Sequence, residues 1–153
     1  RIDWHWWILA AGLVLMSFDE ASQIHEGLIG EVLLQLFGRG EGIFYYTWYL
    51  FYIPILLLAA FYYFPFLRKM PLRYSSKFFL SGLIFFGGAI GIEALESYLA
   101  FNKISVTLSS WAEETAEMMG IVILIYALLL YIQDSNYIVA IKSHADLDTL
   151  QGE

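Results

Sequence analysis

Cysteine is absent from this 153-residue chain, which removes disulfides, thiolate nucleophiles, iron–sulfur clusters and covalently attached haem in one step. Charge is scarce as well: only 15% of the residues are Asp, Glu, Lys or Arg, against about 25% in ordinary soluble domains. Basic residues are the scarcer sign, 8 against 15 acids. With no basic patch to neutralise phosphates, nucleic acid is not an expected partner. There is no internal repeat and no low-complexity segment.

What is present is apolar. Hydrophobic residues make up 59% of the chain and aromatics 18%, and the mean hydropathy is +0.63. That combination reads as an integral membrane protein of one domain, with the lipid bilayer as its first partner. The expected fold is all-α: a four-transmembrane-helix bundle with a short interfacial helix after the first span. The spans fall at about residues 4–24, 43–67, 78–101 and 112–132, the interfacial helix at about 28–37, and a polar cytoplasmic tail at 134–153.

The first segment opens on Trp4-His5-Trp6-Trp7, and indole rings favour the headgroup level. His5 reads there as an interfacial histidine, with axial ligation of a pigment as the sharper alternative. Trp6 to Phe18 then runs thirteen residues with Ser17 as its one polar side chain. That is short of the roughly 20 residues a spanning helix needs. A helix that starts near Trp4 and completes its crossing must therefore carry Asp19 and Glu20 to the membrane boundary. No small-x-small cleavage site follows Phe18, so a retained helix is expected rather than a signal peptide.

The second span is flanked by Tyr45-Tyr46-Thr47-Trp48-Tyr49 and Phe61-Tyr62-Tyr63-Phe64-Pro65, an aromatic belt at each face, with Pro54 as the expected kink. In the third span Gly82, Gly87, Gly88 and Gly91 give a smooth surface, and Gly87-x-x-x-Gly91 has the spacing of close helix approach.

Charge assigns the sides. With four crossings, one side collects Arg1, Arg68, Lys69, Arg73, Lys77 and Lys142, and the other only Arg39 and Lys103. By the positive-inside rule both termini face the cytoplasm, in a bacterial inner (plasma) membrane. Ten of the fifteen acids then gather at the outer end: Asp19, Glu20, Glu26, Glu31, Glu41, Glu93, Glu96, Glu113, Glu114 and Glu117.

At about 100° per residue, an unbroken helix would place Asp19, Glu20 and Glu26 on one polar arc flanked by His25. Glu93 and Glu96 share a helix face, and Glu114-x-x-Glu117 repeats that spacing. Glu113 reads as a first-turn acid favoured by the helix dipole; Glu31 and Glu41 read as solvated loop charges. Carboxylates that close cannot all stay ionised without compensation, so protons or cations must supply it.

Three readings follow. In the first, Asp19, Glu20, His25, Glu26, Glu93, Glu96, Glu114 and Glu117 bind a divalent metal such as Mn, Fe, Zn or Ca. Helical di-iron sites use Glu-x-x-His from two helices; the pairs here lack those histidines, which puts a redox di-iron centre in doubt. In the second, Glu93 serves proton or cation handling. In the third, the chain is an accessory or structural subunit of a larger membrane complex.

Ser17-x-Asp19-Glu20-x-Ser22-x-x-His25-Glu26, with Glu113-Glu114-x-x-Glu117-Met118-x-Gly120, resembles small multi-pass bacterial membrane proteins whose role is uncharacterised. The resemblance covers roughly residues 4–132. It implies an acidic, histidine-bearing membrane family and supplies no activity.

Overall fold

Burial in this protein is inverted relative to a water-soluble domain. In the computed structural model, which describes residues 4–134, the buried side chains include Ser81, Glu93, Glu96 and Ser97, with Tyr49 and Ala127 the buried hydrophobic ones. Leu, Ile, Val and Phe side chains instead line the outside, among them Leu57, Leu58, Phe61, Val122 and Leu129. An exterior this apolar is matched to lipid rather than water. The tail over 135–153, Arg1, Lys142, His144 and the side chain of Glu26 lie outside the described residues.

The helices are α1 (Trp4–Ser22), α2 (Gly30–Phe37), α3 (Trp48–Lys69), α4 (Leu72–Phe86), α5 (Glu93–Phe101) and α6 (Thr107–Asp134). A π-helical turn, His25–Ile29, leads into α2, a 3-10 turn, Gly42–Phe44, precedes α3, and a second π-helical segment, Gly87–Ile92, joins α4 to α5. Three helical stretches are long and apolar enough to cross a membrane: Trp48–Lys69, Leu72–Phe101 and Thr107–Asp134. Helix α1 has the length, 19 residues, but carries Trp and His at one end and Asp19-Glu20 at the other. Helix α3 runs through both Pro54 and Pro65.

Where the unbroken first helix was expected, α1 stops at Ser22. Gln23 takes a left-handed backbone, φ 50°, and the amide of Ile24 closes back on the Asp19 carbonyl at 3.3 Å. This is the closure typical of a helix C-terminus, with Gln23 where glycine is usual. The polar arc of an unbroken helix is thereby replaced by a reversal that folds His25 over Asp19.

The core contact is α4 against α6, continued by the Gly87–Ile92 segment on the same helix. Glycine sets its distance. A Cβ on Gly120 would stand 2.7 Å from Phe85 Cβ, and one on Gly88 would stand 2.9 Å from Ala116 Cβ. Ser81 Oγ donates to the Gly120 carbonyl at 2.8 Å across this buried seam. The close approach therefore uses Gly88 and Gly120, not the Gly87/Gly91 pair, which meets nothing within 4 Å.

At the end that carries His5 and Trp6, aromatic rings tie α1 to the other helices. His5 stacks on Tyr62 and Phe66, with centroids 4.9 and 4.5 Å away, and Trp6 packs on Phe66, Phe78 and Tyr131. Tyr63 donates to the His5 carbonyl at 2.8 Å. Arg73 pairs with Asp134 at 2.8 Å, joining the start of α4 to the end of α6.

Candidate metal centre

The π-helical segment decides which way the third span's acids face. Its hydrogen bonds run i to i+5, so residues five apart stack on one face, whereas in an α-helix they lie about 140° apart. Gly88, buried on α6, and Glu93, five residues on, are both turned inward. Glu96 follows one turn later. Glu93 is 4% exposed and Glu96 6%.

Helix α6 supplies the third acid. It begins at Thr107, earlier than the expected 112, so Glu113 lies two turns inside rather than in the first turn. Its carbonyl is 3.2 Å from where a Gly88 Cβ would stand, and Glu117 Cγ is 3.6 Å from that point. The face of α6 toward the π-helical segment is thus Glu113, Ala116 and Glu117, with Gly120 about one turn on against Phe85 of α4. One carboxylate oxygen each from Glu93, Glu96 and Glu113 lies within 4.8 Å of the others. Glu113 therefore stands where the sequence pattern had placed Glu114, which is exposed.

Trp48 and Ser97 lock α3 onto this group. Trp48 Nε1 donates to Glu93 Oε1 at 2.8 Å, and the Tyr46 amide donates to Ser97 Oγ at 2.6 Å. The Tyr49 hydroxyl donates to the Ile43 carbonyl, closing the turn that presents Trp48. Glu96 Oε1 is the exception: it is buried with no hydrogen-bond partner. A buried carboxylate oxygen without a partner carries its full desolvation cost. No lysine or arginine occurs between Lys77 and Lys103 or between Lys103 and Lys142.

Glu93 and Glu96 also face a cleft of about 320 Å³ whose wall includes Trp48, Tyr45, Arg39 and Glu31. The group is thus reachable from the surface on one side and closed by α6 on the other.

The remaining expected site residues form two neighbouring sets. Asp19 accepts from the His25 amide at 3.1 Å and from the Tyr52 hydroxyl at 3.3 Å, while its Oδ2 lies 3.0 Å from His25 Nδ1. The His25 ring rests on Trp48, centroids 4.5 Å apart, so Trp48 touches both the Asp19–His25 pair and Glu93. Glu117 feels the charges of Glu20, from α1, and of Glu114, with Glu20 and Glu114 themselves exposed.

Sequence reasoning read Glu113 as a first-turn acid and Trp48 as part of an aromatic belt, and passed over Tyr52 and Ser97. The available signal was chemical: a buried indole N–H needs an acceptor, and carboxylates are the abundant acceptors at this end of the chain.

A family model described as "Domain of unknown function (DUF8692)" matches residues 1–132. No curated protein and no solved structure matches the chain.

Proposed function

The chain belongs to the DUF8692 family, whose description carries no activity, and from the chain's own residues we propose that it is a membrane protein that binds a divalent cation at Glu93, Glu96 and Glu113. One observation carries the reading: three carboxylate oxygens within 4.8 Å of one another, one residue of which holds a buried oxygen with no partner. A cation supplies what that oxygen lacks and screens the repulsion among the three acids. An all-oxygen donor set suits a hard ion, Ca or Mn, ahead of Zn or Fe. Asp19 and His25 then act through Trp48, by holding the indole that orients Glu93. Glu20, Glu114 and Glu117 form a separate acidic group between α1 and α6.

In this reading α1 is the fourth crossing, α2 lies along the outer interface, and both termini are cytoplasmic in a plasma membrane. Support comes from Arg68, Lys69, Arg73 and Lys77, which cluster between two of the long apolar stretches, and from the aromatic packing of His5 and Trp6 on the same end of α3. A second reading, an accessory subunit of a membrane complex, draws on exposed Glu20 and Glu114, which a basic partner would meet.

The test is elemental analysis of protein purified in detergent without chelator. Near-stoichiometric divalent metal that falls in Glu96→Gln and Glu113→Gln supports the cation site. Metal at background level in the wild type sinks it and favours the accessory reading.

A further inference from the structure

The cation reading leaves coordination positions open. Hard ions of this class take six or more oxygen ligands, and the related ion Mg is usually held by one or two carboxylates plus the oxygens of a phosphate rather than by an all-protein cage. Here Glu113 stands behind the group, while Glu93 and Glu96 line the cleft. The open positions therefore face the cleft.

Arg39 lines the same cleft. Its guanidinium lies over the Tyr45 ring, 4.7 Å from the centroid, and Nη1 donates to the Tyr45 hydroxyl. It forms no ion pair with a described carboxylate, although Glu31, Glu93 and Glu96 share the cleft. An arginine pinned on a tyrosine beside three carboxylates, yet paired with none, keeps donors for an incoming anion. A guanidinium fork and a hard cation share one preferred ligand, the phosphate group.

We propose that this cleft binds a phosphate group, held between the cation on Glu93, Glu96 and Glu113 and the guanidinium of Arg39. The inference rests on the cation reading. Without the cation the cleft holds three acids against one arginine and repels phosphate; with it, binding becomes favourable. Cation and phosphate must therefore strengthen each other's binding by the same factor. The phosphate belongs either to a soluble monoester or to a lipid headgroup, since the cleft lies at the level of the outer aromatic belt.

The experiment measures Mn affinity of the full chain in maltoside micelles, which contain no phosphate. It is repeated with glycerol phosphate, then with phosphatidic acid in the micelles. The expected result is a tightening of Mn binding on the order of tenfold that disappears in Arg39→Gln and is partly kept in Arg39→Lys, each read against that variant's own Mn affinity without phosphate. An effect with glycerol phosphate identifies a soluble ester; an effect with phosphatidic acid alone identifies a headgroup. Mn binding that neither phosphate alters, or an effect that survives in Arg39→Gln, overturns the phosphate proposal and leaves the cation site standing. Absence of Mn binding under every condition overturns both. Thermal melting of each variant separates a lost ligand contact from a failure to fold.

Discussion

Trp48 places its indole nitrogen 2.8 Å from Glu93 Oε1 across 45 residues of sequence. That bond joins the first turn of α3 to the first residue of α5, and the same ring packs against His25. Trp48→Phe keeps the ring and removes the donor. A hydrogen bond to a charged group contributes about 1.5–3 kcal/mol, so the variant is expected to lose about that much stability and to melt earlier in detergent. Unchanged melting would mean the bond carries no stability.

Glu96→Gln separates stability from binding. The substitution replaces a buried carboxylate, one oxygen of which has no partner, with a neutral group of the same shape. The cation-free protein should melt at the same temperature or higher. Ligand-induced stabilisation, about 2.7 kcal/mol at a hundredfold excess over Kd, should vanish. Glu114→Gln, at an exposed position, should keep that stabilisation. A Glu96→Gln protein that melts earlier without cation and is still stabilised by it would exclude Glu96 as a ligand.

Gly88 and Gly120 should tolerate alanine poorly. A Cβ at Gly120 meets the Phe85 backbone at 2.9 Å and one at Gly88 meets Ala116 at 2.9 Å; overpacking of this kind costs about 1–3 kcal/mol. Gly88→Ala should also weaken cation binding, because it pushes Glu113 away from Glu93 and Glu96. Gly91→Ala, with nothing within 4 Å, is the matched control, and equal melting of the two variants would refute the glycine seam.

The all-helical fold, three long apolar stretches and the shared face of Glu93 and Glu96 were legible because each depends on short periods or on composition. The third carboxylate was not. Glu113 and Glu114 are adjacent, and choosing between them requires knowing where α6 starts and which face it turns to Gly88. The 100° period also fails across Gly87–Ile92 and at Gln23. A π-helical turn and a left-handed residue each reset the phase, and neither has a strong sequence signature. The site is therefore built where regular helix geometry is interrupted, twice.

Asp19→Asn tests whether the Asp19–His25 pair is a ligand set or a support. Asp19 accepts from the His25 amide and the Tyr52 hydroxyl, so losing its charge should destabilise the protein by about 1–3 kcal/mol. If it acts only through Trp48, metal content per chain stays unchanged under saturating cation while affinity weakens. A drop in stoichiometry measured by elemental analysis would instead make Asp19 a ligand.

The absence of native cysteine makes the crossing number directly measurable, since any introduced thiol is the only one. In intact cells a membrane-impermeant maleimide should label Glu41→Cys and Ser105→Cys, both at exposed positions on the acidic side. Leu72→Cys, on the basic side, should label only after permeabilisation. These three sites follow from the three long apolar stretches and the positive-inside rule. Asp3→Cys is the decisive position, because its side depends on α1 alone. Protection in intact cells means α1 crosses and carries Asp19 to the acidic end by its own length. Labelling there would leave three crossings and put the N-terminus outside. The polar ends of α1 would then lie along one membrane surface, and the packing of His5 and Trp6 on the far ends of α3, α4 and α6 would have no place in the fold.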